Sequence, residues 1–177
     1  MSNCASFFIV IALKVDGMRR FSIGIGVLCC FLWVVFTSCQ EQNSVGFNDR
    51  LASDIAQIDN YLSAHNIKAQ ADPSGLRYVL GVQDLPASVV VPKLTDSISV
   101  VYTGKLLPSE EIFATTGVDT TKFKLSTLIP AWQIALKQIY TGTTIDLYVP
   151  SGLGYGAVAH DNIPANSNLI FHIHLLK

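Results

Sequence analysis

Cysteine is absent after position 39 of this 177-residue chain, because all four cysteines (Cys4, Cys29, Cys30 and Cys39) lie in its first quarter. The rest of the chain therefore forms no disulfide and offers no thiol nucleophile. Charged residues are also few, at 14% of the chain, and Lys and Arg (12) do not outnumber Asp and Glu (13). Without a basic excess, nucleic-acid binding is disfavoured.

Signals for metal, phosphate and covalent chemistry are also weak. His172 and His174 share one face of a predicted strand and could form a metal pair, but no third ligand is evident, so an exposed strand face is favoured. No Lys-Ser or Lys-Thr pair follows the glycine-rich stretch, so it is not a phosphate loop. Ser151 has no partner pattern for a nucleophile. We expect neither a metal nor a cofactor.

The longest apolar run is Phe21–Phe36, which carries no charge and follows two arginines. It is short for a membrane span but matches the basic and hydrophobic parts of a secretory signal. Small residues then precede Cys39, as in a bacterial lipobox, where the cysteine is lipidated. We therefore predict a signal peptide over residues 1–38, with Met18 as the alternative start. An uncleaved N-terminal anchor is the other interpretation.

Either interpretation predicts an exported protein held at the cell envelope, facing the periplasm or in the outer membrane of a Gram-negative cell. Residues 39–72 are predicted to form a tether, Gln40–Asn48, and a helix, Asp49–His65, with Asp49 as N-cap and Asn66 at the end. Four apolar residues recur in this helix at helical spacing: Leu51, Ile55, Ile58 and Leu62. Their stripe must cover either the main domain or a partner helix in a dimer, and the oligomeric state stays open.

At 177 residues with 50% hydrophobic content, the chain can bury one core, which we place in residues 73–177. Ala114–Thr121 is expected to be a loop, and Gly104–Ile112 a turn or hairpin. Pro130–Tyr140 is predicted to be helical, since apolar residues follow the spacing of one buried stripe. Predicted strands surround this helix: Leu76–Val82, Val89–Leu94, Ser97–Thr103, Lys122–Leu125, Thr144–Val149 and Asn168–Leu176. This order indicates an α+β fold with an antiparallel sheet packed on the helix.

The loop between the last two strands carries Tyr155 among three glycines. An aromatic hydroxyl that converges with apolar side chains such as Phe171 suggests a small apolar ligand pocket. A loop whose tyrosine only covers the core explains the same pattern equally well.

Five motifs now stand in the order typical of a known family. They are V-Y-T-G-K-L-L (101–107), F-K-L (123–125), L-I-P-A-W (128–132), G-Y-G (154–156) and I-P-A-N-S-N-L-I-F (163–171). Through them, residues 97–177 and more loosely 73–177 resemble the FKBP-type peptidyl-prolyl cis-trans isomerases. The lipobox and the preceding helix resemble the family's membrane-tethered bacterial branch. The resemblance implies a twisted antiparallel sheet wrapped around one short helix, with an N-terminal helical extension.

The resemblance also implies a function and a set of site residues. The function is rotation of X–Pro bonds during folding of exported or envelope proteins, with proline-containing polypeptides and a macrolide such as rapamycin as partners. Catalytic roles are implied for Tyr102, Phe113, Ile129, Tyr155 and Phe171. Substrate contacts are implied for Phe123, Leu128, Trp132, His160 and Ile163. Trp132 would form the floor, while the Ile129 N–H and the Tyr155 hydroxyl would bind substrate carbonyls.

Among the departures from the family pattern, the one at position 114 bears most directly on the site. An aspartate usually follows the phenylalanine at position 113, where it bonds the neighbouring tyrosine, but this chain has Ala114. Tyr102 is therefore expected to lose a partner, and activity to be reduced. A non-catalytic chaperone or adaptor that binds proline peptides is the alternative, and an anchored structural protein with a filled pocket is a third.

Overall fold

The computed structural model describes residues 42–83 and 90–177. The predicted signal peptide (1–38) and Cys39 lie outside these residues. The elements, in chain order, are α1 (Gln42–Ala64), β1 (Gln70–Ala71), β2 (Arg77–Gln83), β3 (Ser97–Leu107), β4 (Ile112–Thr115), β5 (Thr121–Lys124), α2 (Pro130–Ala135), β6 (Thr143–Val149) and β7 (Asn168–Leu175). Short 3₁₀ turns occupy Leu125–Thr127 and Ser151–Leu153. Asn43–Lys177 form one compact unit, which includes α1.

The seven strands form one antiparallel sheet in the order β1-β2-β6-β7-β3-β4, with β5 paired to the other half of β3. Apolar residues alternate with other residues along β6 and β7, and this alternation explains which of their side chains are buried. Ile145 lies opposite Ile173, and Leu147 lies opposite Phe171, so apolar side chains of β6 and β7 meet on one face. All four are buried. The predicted α+β fold with an antiparallel sheet is confirmed.

Helix α2 packs against this inner face. Pro130 occupies its first turn, where a missing N–H costs nothing. The helix ends at Ala135 rather than at Tyr140, since Gln138 N–H already donates to the Ala135 carbonyl over three residues instead of four. The predicted apolar stripe is nevertheless buried throughout: Trp132, Ala135, Leu136 and Ile139.

Helix α1 covers part of the outer face of the sheet. Its Ile58 and Leu62 are buried in a second apolar cluster with Leu107 and Tyr148. Tyr148 alternates away from the inner core and is still only 5% exposed, because α1 lies over it. The apolar stripe of α1 therefore packs against the sheet of its own chain. This is the first of the two alternatives predicted for the stripe, in which it covers the main domain.

The start of α1 differs from the prediction. The helix includes Asp49 and begins at Gln42, so the predicted helix start and the N-cap at Asp49 were wrong, while the role of Gln40–Asn48 as a tether stays a prediction. Polar composition suggested a tether, but polar residues do not by themselves prevent a helix. Its C-terminal end was predicted correctly: Asn66 has a φ of +55° just after Ala64, a conformation that ends helices and that asparagine tolerates.

Three other boundaries also differ. Residues 90–93, in the predicted strand Val89–Leu94, form no strand, and Pro92 in their middle lacks a ladder donor. Ala114 lies in β4 opposite Gly104, rather than in a loop. Strand β3 continues to Leu107, which shortens the predicted turn at 104–112.

Candidate functional site

Five aromatic side chains meet between α2 and the sheet, and we call them the aromatic cup: Tyr102, Phe113, Phe123, Trp132 and Phe171. Three rings meet Trp132 edge to face, with centroid distances of 5.2 Å for Tyr102, 6.3 Å for Phe123 and 5.5 Å for Phe171. Phe113 stands 5.6 Å from Phe171 at 88°. Edge-to-face contacts are the favourable arrangement for aromatic rings, so the cup is well packed.

Each ring comes from a different element: Tyr102 from β3, Phe113 from β4, Phe123 from β5, Trp132 from α2 and Phe171 from β7. Strand β3 brings the four rings on strands side by side, because it carries Tyr102 and pairs with β4, β5 and β7. The backbone of Tyr102 is held by Thr116, whose N–H donates to the Tyr102 carbonyl at 3.0 Å and whose hydroxyl accepts from the Tyr102 N–H at 3.0 Å.

Gly104 leaves the space that two of these rings need. A Cβ at this position would lie 2.6 Å from Cζ of Phe113 and 3.0 Å from Cε1 of Phe171. No side chain fits there while both rings keep their places. Sequence reasoning missed Gly104, although a glycine inside a strand is a known sign of close approach.

Burial changes from the floor of the cup to its rim. Trp132 and Phe171 are each 3% exposed and Ile163 is 4% exposed, whereas Tyr102, Phe113 and Phe123 are half-buried. Leu128, Ile129 and Tyr155 are also half-buried and pack against the same core. The buried indole N–H of Trp132 finds no acceptor among the described residues. The site therefore has a buried floor and walls that reach solvent.

A free backbone donor lies beside this floor. Ile129 is the N-cap of α2, and within residues 42–83 and 90–177 its N–H donates to no acceptor. The carbonyl of the same peptide unit, on Leu128, accepts a hydrogen bond from Nε2 of Gln133 at 2.7 Å. This bond orients the peptide, so Gln133 is a supporting residue that the sequence motifs did not identify.

Tyr155, in the loop between β6 and β7, supplies a hydroxyl group. Burial raises the pKa of the Tyr155 phenol above its usual value of 10.0, and the nearby Tyr102 and Asp161 raise this pKa further. The group is therefore a neutral donor at physiological pH. Its ring stacks on exposed His160 with centroids 4.9 Å apart. His160 and Ile163 exchange backbone hydrogen bonds of 2.9 and 2.8 Å, which close the loop.

Nine of the ten residues implied by the resemblance belong to the main hydrophobic core or pack against it, and the tenth, His160, stacks on the ring of Tyr155. Ala114 is half-buried, and none of the hydrogen bonds found in the described chain uses the Tyr102 hydroxyl.

His172 lies elsewhere, on the outer face of the sheet, where it pairs with Asp146 of β6. No group of three metal-ligating side chains occurs among residues 42–83 and 90–177.

Comparisons with known proteins agree with this geometry. Residues 90–176 match the family model of FKBP-type peptidyl-prolyl cis-trans isomerases. Outer membrane protein MIP of Legionella longbeachae is 34% identical over 141 residues, which cover 77% of this chain and 59% of that protein. The isomerase FkpA of Escherichia coli is 37% identical over 86 residues, which cover 48% of this chain and 32% of that protein.

Solved structures show the same fold. The crystal structure of FkpA from Escherichia coli has a TM-score of 0.61 at 27% identity, over 86% of this chain and 70% of that chain. A peptidyl-prolyl cis-trans isomerase from Pseudomonas syringae has a TM-score of 0.58 at 25% identity, over 71% of this chain and 93% of that chain.

An antiparallel sheet wrapped on a short helix, with an aromatic cup between them, defines the FKBP fold. Residues 90–176 belong to the FKBP-type peptidyl-prolyl cis-trans isomerase family, whose model they match. The chain spans 59% and 32% of the lengths of the two curated relatives described above. Among the residues that the structure describes, no helix has the length and apolarity needed to cross a membrane.

Proposed function

We propose that this protein is a peptidyl-prolyl cis-trans isomerase that assists the folding of exported or envelope proteins. The observation that carries the proposal is the aromatic cup with its buried floor at Trp132, together with two donors, the Ile129 N–H and the Tyr155 hydroxyl, for which no hydrogen bond is found among the described residues. A proline ring is apolar and fits such walls, while the carbonyls that flank it need donors.

The reaction requires no nucleophile, metal or cofactor. Rotation of an X–Pro bond passes through a twisted amide that has lost its resonance, and the uncatalysed step takes tens to hundreds of seconds. The twisted amide has less charge separation than the planar one, so a water-poor apolar site binds it better. Preferential binding of the twisted form lowers the barrier.

The two donors hold the peptide while proline turns. Each neutral hydrogen bond contributes roughly 0.5–1.5 kcal/mol net, so shape and water exclusion by the aromatic cup must supply most of the effect. We assign catalytic roles to Tyr102, Phe113, Ile129, Tyr155 and Phe171. The remaining lining residues contact the substrate: Phe123, Leu128, Trp132, His160 and Ile163.

The test is an isomerisation assay on the full chain with a chromogenic tetrapeptide that contains one X–Pro bond. We expect acceleration that rapamycin inhibits, because the macrolide competes for an apolar cup. An unchanged rate together with intact peptide binding would support the second candidate, a non-catalytic module that holds proline-containing segments. If the chain neither accelerates isomerisation nor binds the peptide, only a structural role remains.

The second candidate is motivated by Ala114, and its test is Ala114→Asp. The new carboxylate would lie on β4, which is paired with β3 beside Tyr102. A hydrogen bond to the Tyr102 hydroxyl should order the cup, so we expect kcat/KM to rise by roughly threefold to tenfold, the value of one bond. Ala114→Asn is the matched uncharged control. A fall in kcat/KM would show that this cup is organised without an acid.

Replacement of Gly104 tests whether activity depends on the ring positions that this glycine permits. Gly104→Ala introduces a Cβ that would overlap Phe113, so that ring must leave its place. We expect roughly a tenfold loss of kcat/KM, corresponding to about 1.4 kcal/mol of transition-state binding. Gly81→Ala is the matched control, because its Cβ would also be tight, at 3.2 Å from Thr144, but lies on β2 away from the cup. Equal losses in both variants would contradict the assignment.

The proposal extends to location. One curated relative is named an outer membrane protein, which supports a place in the cell envelope. We further propose cleavage of residues 1–38 and lipidation of Cys39. Metabolic labelling with palmitate tests the lipidation directly. If the label persists in Cys39→Ala, Cys39 is not the lipidated residue and the proposed lipid anchor is wrong.

A further inference from the structure

A buried polar network joins α1 to the loop that carries Tyr155. Asp54 of α1 is 1% exposed, and its Oδ2 accepts hydrogen bonds from the Ser151 N–H at 3.0 Å and from the Ser151 hydroxyl. Asn168, at the start of β7, accepts from the same Ser151 N–H at 3.0 Å. Ser151 therefore has its backbone and its side chain fixed from two directions.

Ser151 in turn fixes the residues on both sides of Tyr155. Its carbonyl accepts a hydrogen bond from the N–H of Gly154 at 3.0 Å and another from the N–H of Gly156 at 2.9 Å. The backbone before and after Tyr155 is thus anchored on a single atom. A shift of Ser151 would move the Tyr155 hydroxyl relative to the cup.

A second path leads from α1 to the same loop. The NH2 group of Arg50 lies 2.8 Å from Oδ1 of Asp54 and donates to the Asn166 carbonyl at 2.6 Å. The Asn166 N–H donates to the carbonyl of Gly156 at 2.8 Å. Two neighbouring side chains of one helix, Arg50 and Asp54, therefore hold the loop from both of its ends.

Attachment of the helix does not require this network. Ile58 and Leu62 already bury α1 against the sheet, and Asp59 forms a two-point ion pair with Arg77 of β2, with N–O distances of 2.9 and 3.1 Å. A buried carboxylate is costly to desolvate, and an apolar contact would stabilise the helix at least as well. A charged group that accepts two directional hydrogen bonds also fixes the position of its partner.

We propose that Asp54 is a positioning residue for the isomerase site and acts through Ser151 to set the place of the Tyr155 hydroxyl. The inference rests on the proposed function, because Tyr155 is the donor assigned there to the substrate. It makes α1 part of the working site, although α1 lies outside residues 90–176, which match the family model.

The experiment compares Asp54→Asn with Asp59→Asn in the full chain. Asp54→Asn removes the charge and one acceptor beside Ser151 while it keeps the side-chain size, and we expect roughly a tenfold loss of kcat/KM, the value of one hydrogen bond. Asp59→Asn loosens the same helix from β2 but touches no residue of the loop, so we expect less than about a twofold loss. Thermal unfolding of both variants reports how much stability each has lost.

Ser151→Ala provides an independent variant, since it removes the donating hydroxyl and leaves Asp54 in place. We expect the same direction of change, and the double variant with Asp54→Asn should lose less than the product of the two single losses. If Asp54→Asn fails to fold, Ser151→Ala compared with Asp59→Asn carries the test alone.

A structural readout separates positioning from mere stability. Incorporated 3-fluorotyrosine gives ¹⁹F resonances, and Tyr155→Phe identifies that of Tyr155. Because burial raises the pKa of Tyr155, a loosened loop should shift its titration to lower pH in Asp54→Asn and not in Asp59→Asn. Equal losses of activity in the two variants, with the Tyr155 titration unchanged, would overturn the inference. If the wild type is inactive, the proposed function fails, while the Tyr155 titration still decides whether Asp54 positions the loop.

Discussion

Phe171→Leu is expected to lower kcat/KM by about 100-fold, a loss of about 2.7 kcal/mol in transition-state binding. The ring of Phe171 meets both Trp132 and Phe113 edge to face, so it joins the floor of the aromatic cup to its wall. Leucine keeps the site apolar but lacks the flat face against which a proline ring can turn. The isomerisation assay measures the loss directly.

The matched control is Ile173→Val, on the same strand and the same face two residues away. Ile173 is fully buried but lies in the core rather than among the cup residues. Its substitution costs roughly 0.5–1.5 kcal/mol of stability, and we expect kcat/KM to stay within about twofold of the wild type. Tyr102→Phe, which removes only a hydroxyl, should have a smaller effect than Phe171→Leu. Similar small effects from all three would refute the pocket assignment.

Ile58→Ala is expected to lower the free energy of unfolding by about 3 kcal/mol. Ile58 is fully buried in the second cluster, where α1 meets Leu107 and Tyr148. Truncation leaves a cavity between two rigid elements, and such cavities close only partly. Urea unfolding followed by circular dichroism measures the change.

Two positions of the same helix calibrate this result. Ile55 is half-buried, so Ile55→Ala should cost less than Ile58→Ala, while exposed Ser53→Ala should change stability by less than about 0.5 kcal/mol. A loss below about 1 kcal/mol for Ile58→Ala would mean that α1 detaches before the sheet unfolds.

The parts that sequence predicted well are those in which a single pattern determines the structure. In β6 and β7, alternation alone identified the buried faces that carry Leu147 and Phe171. In α2 the apolar stripe identified Trp132, even though the helix is shorter than predicted. The resemblance then identified residues from five separate elements, which no local pattern could connect.

The parts that it missed depend on contacts between distant segments. Tyr148 looked exposed by alternation, and its burial follows from a helix that crosses the other face of the sheet. Ser151 lacked a local partner in the sequence because Asp54 lies 97 residues away. Gly104 was missed because the rings that require its missing Cβ come from β4 and β7, although a glycine inside a strand is itself a sign of close approach.

The placement of α1 has a consequence for how the protein can be shortened. The region that matches the family model, 90–176, omits α1, β1 and β2, although β2 pairs with β6 along most of its length. A truncated protein of those residues would leave the backbone of β6 unpaired along a sheet edge and would uncover Tyr148 beside it. An open edge next to an apolar patch promotes association with other chains. The region that matches the family model is thus smaller than the part of the chain in which the edge of β6 and the side chain of Tyr148 are covered.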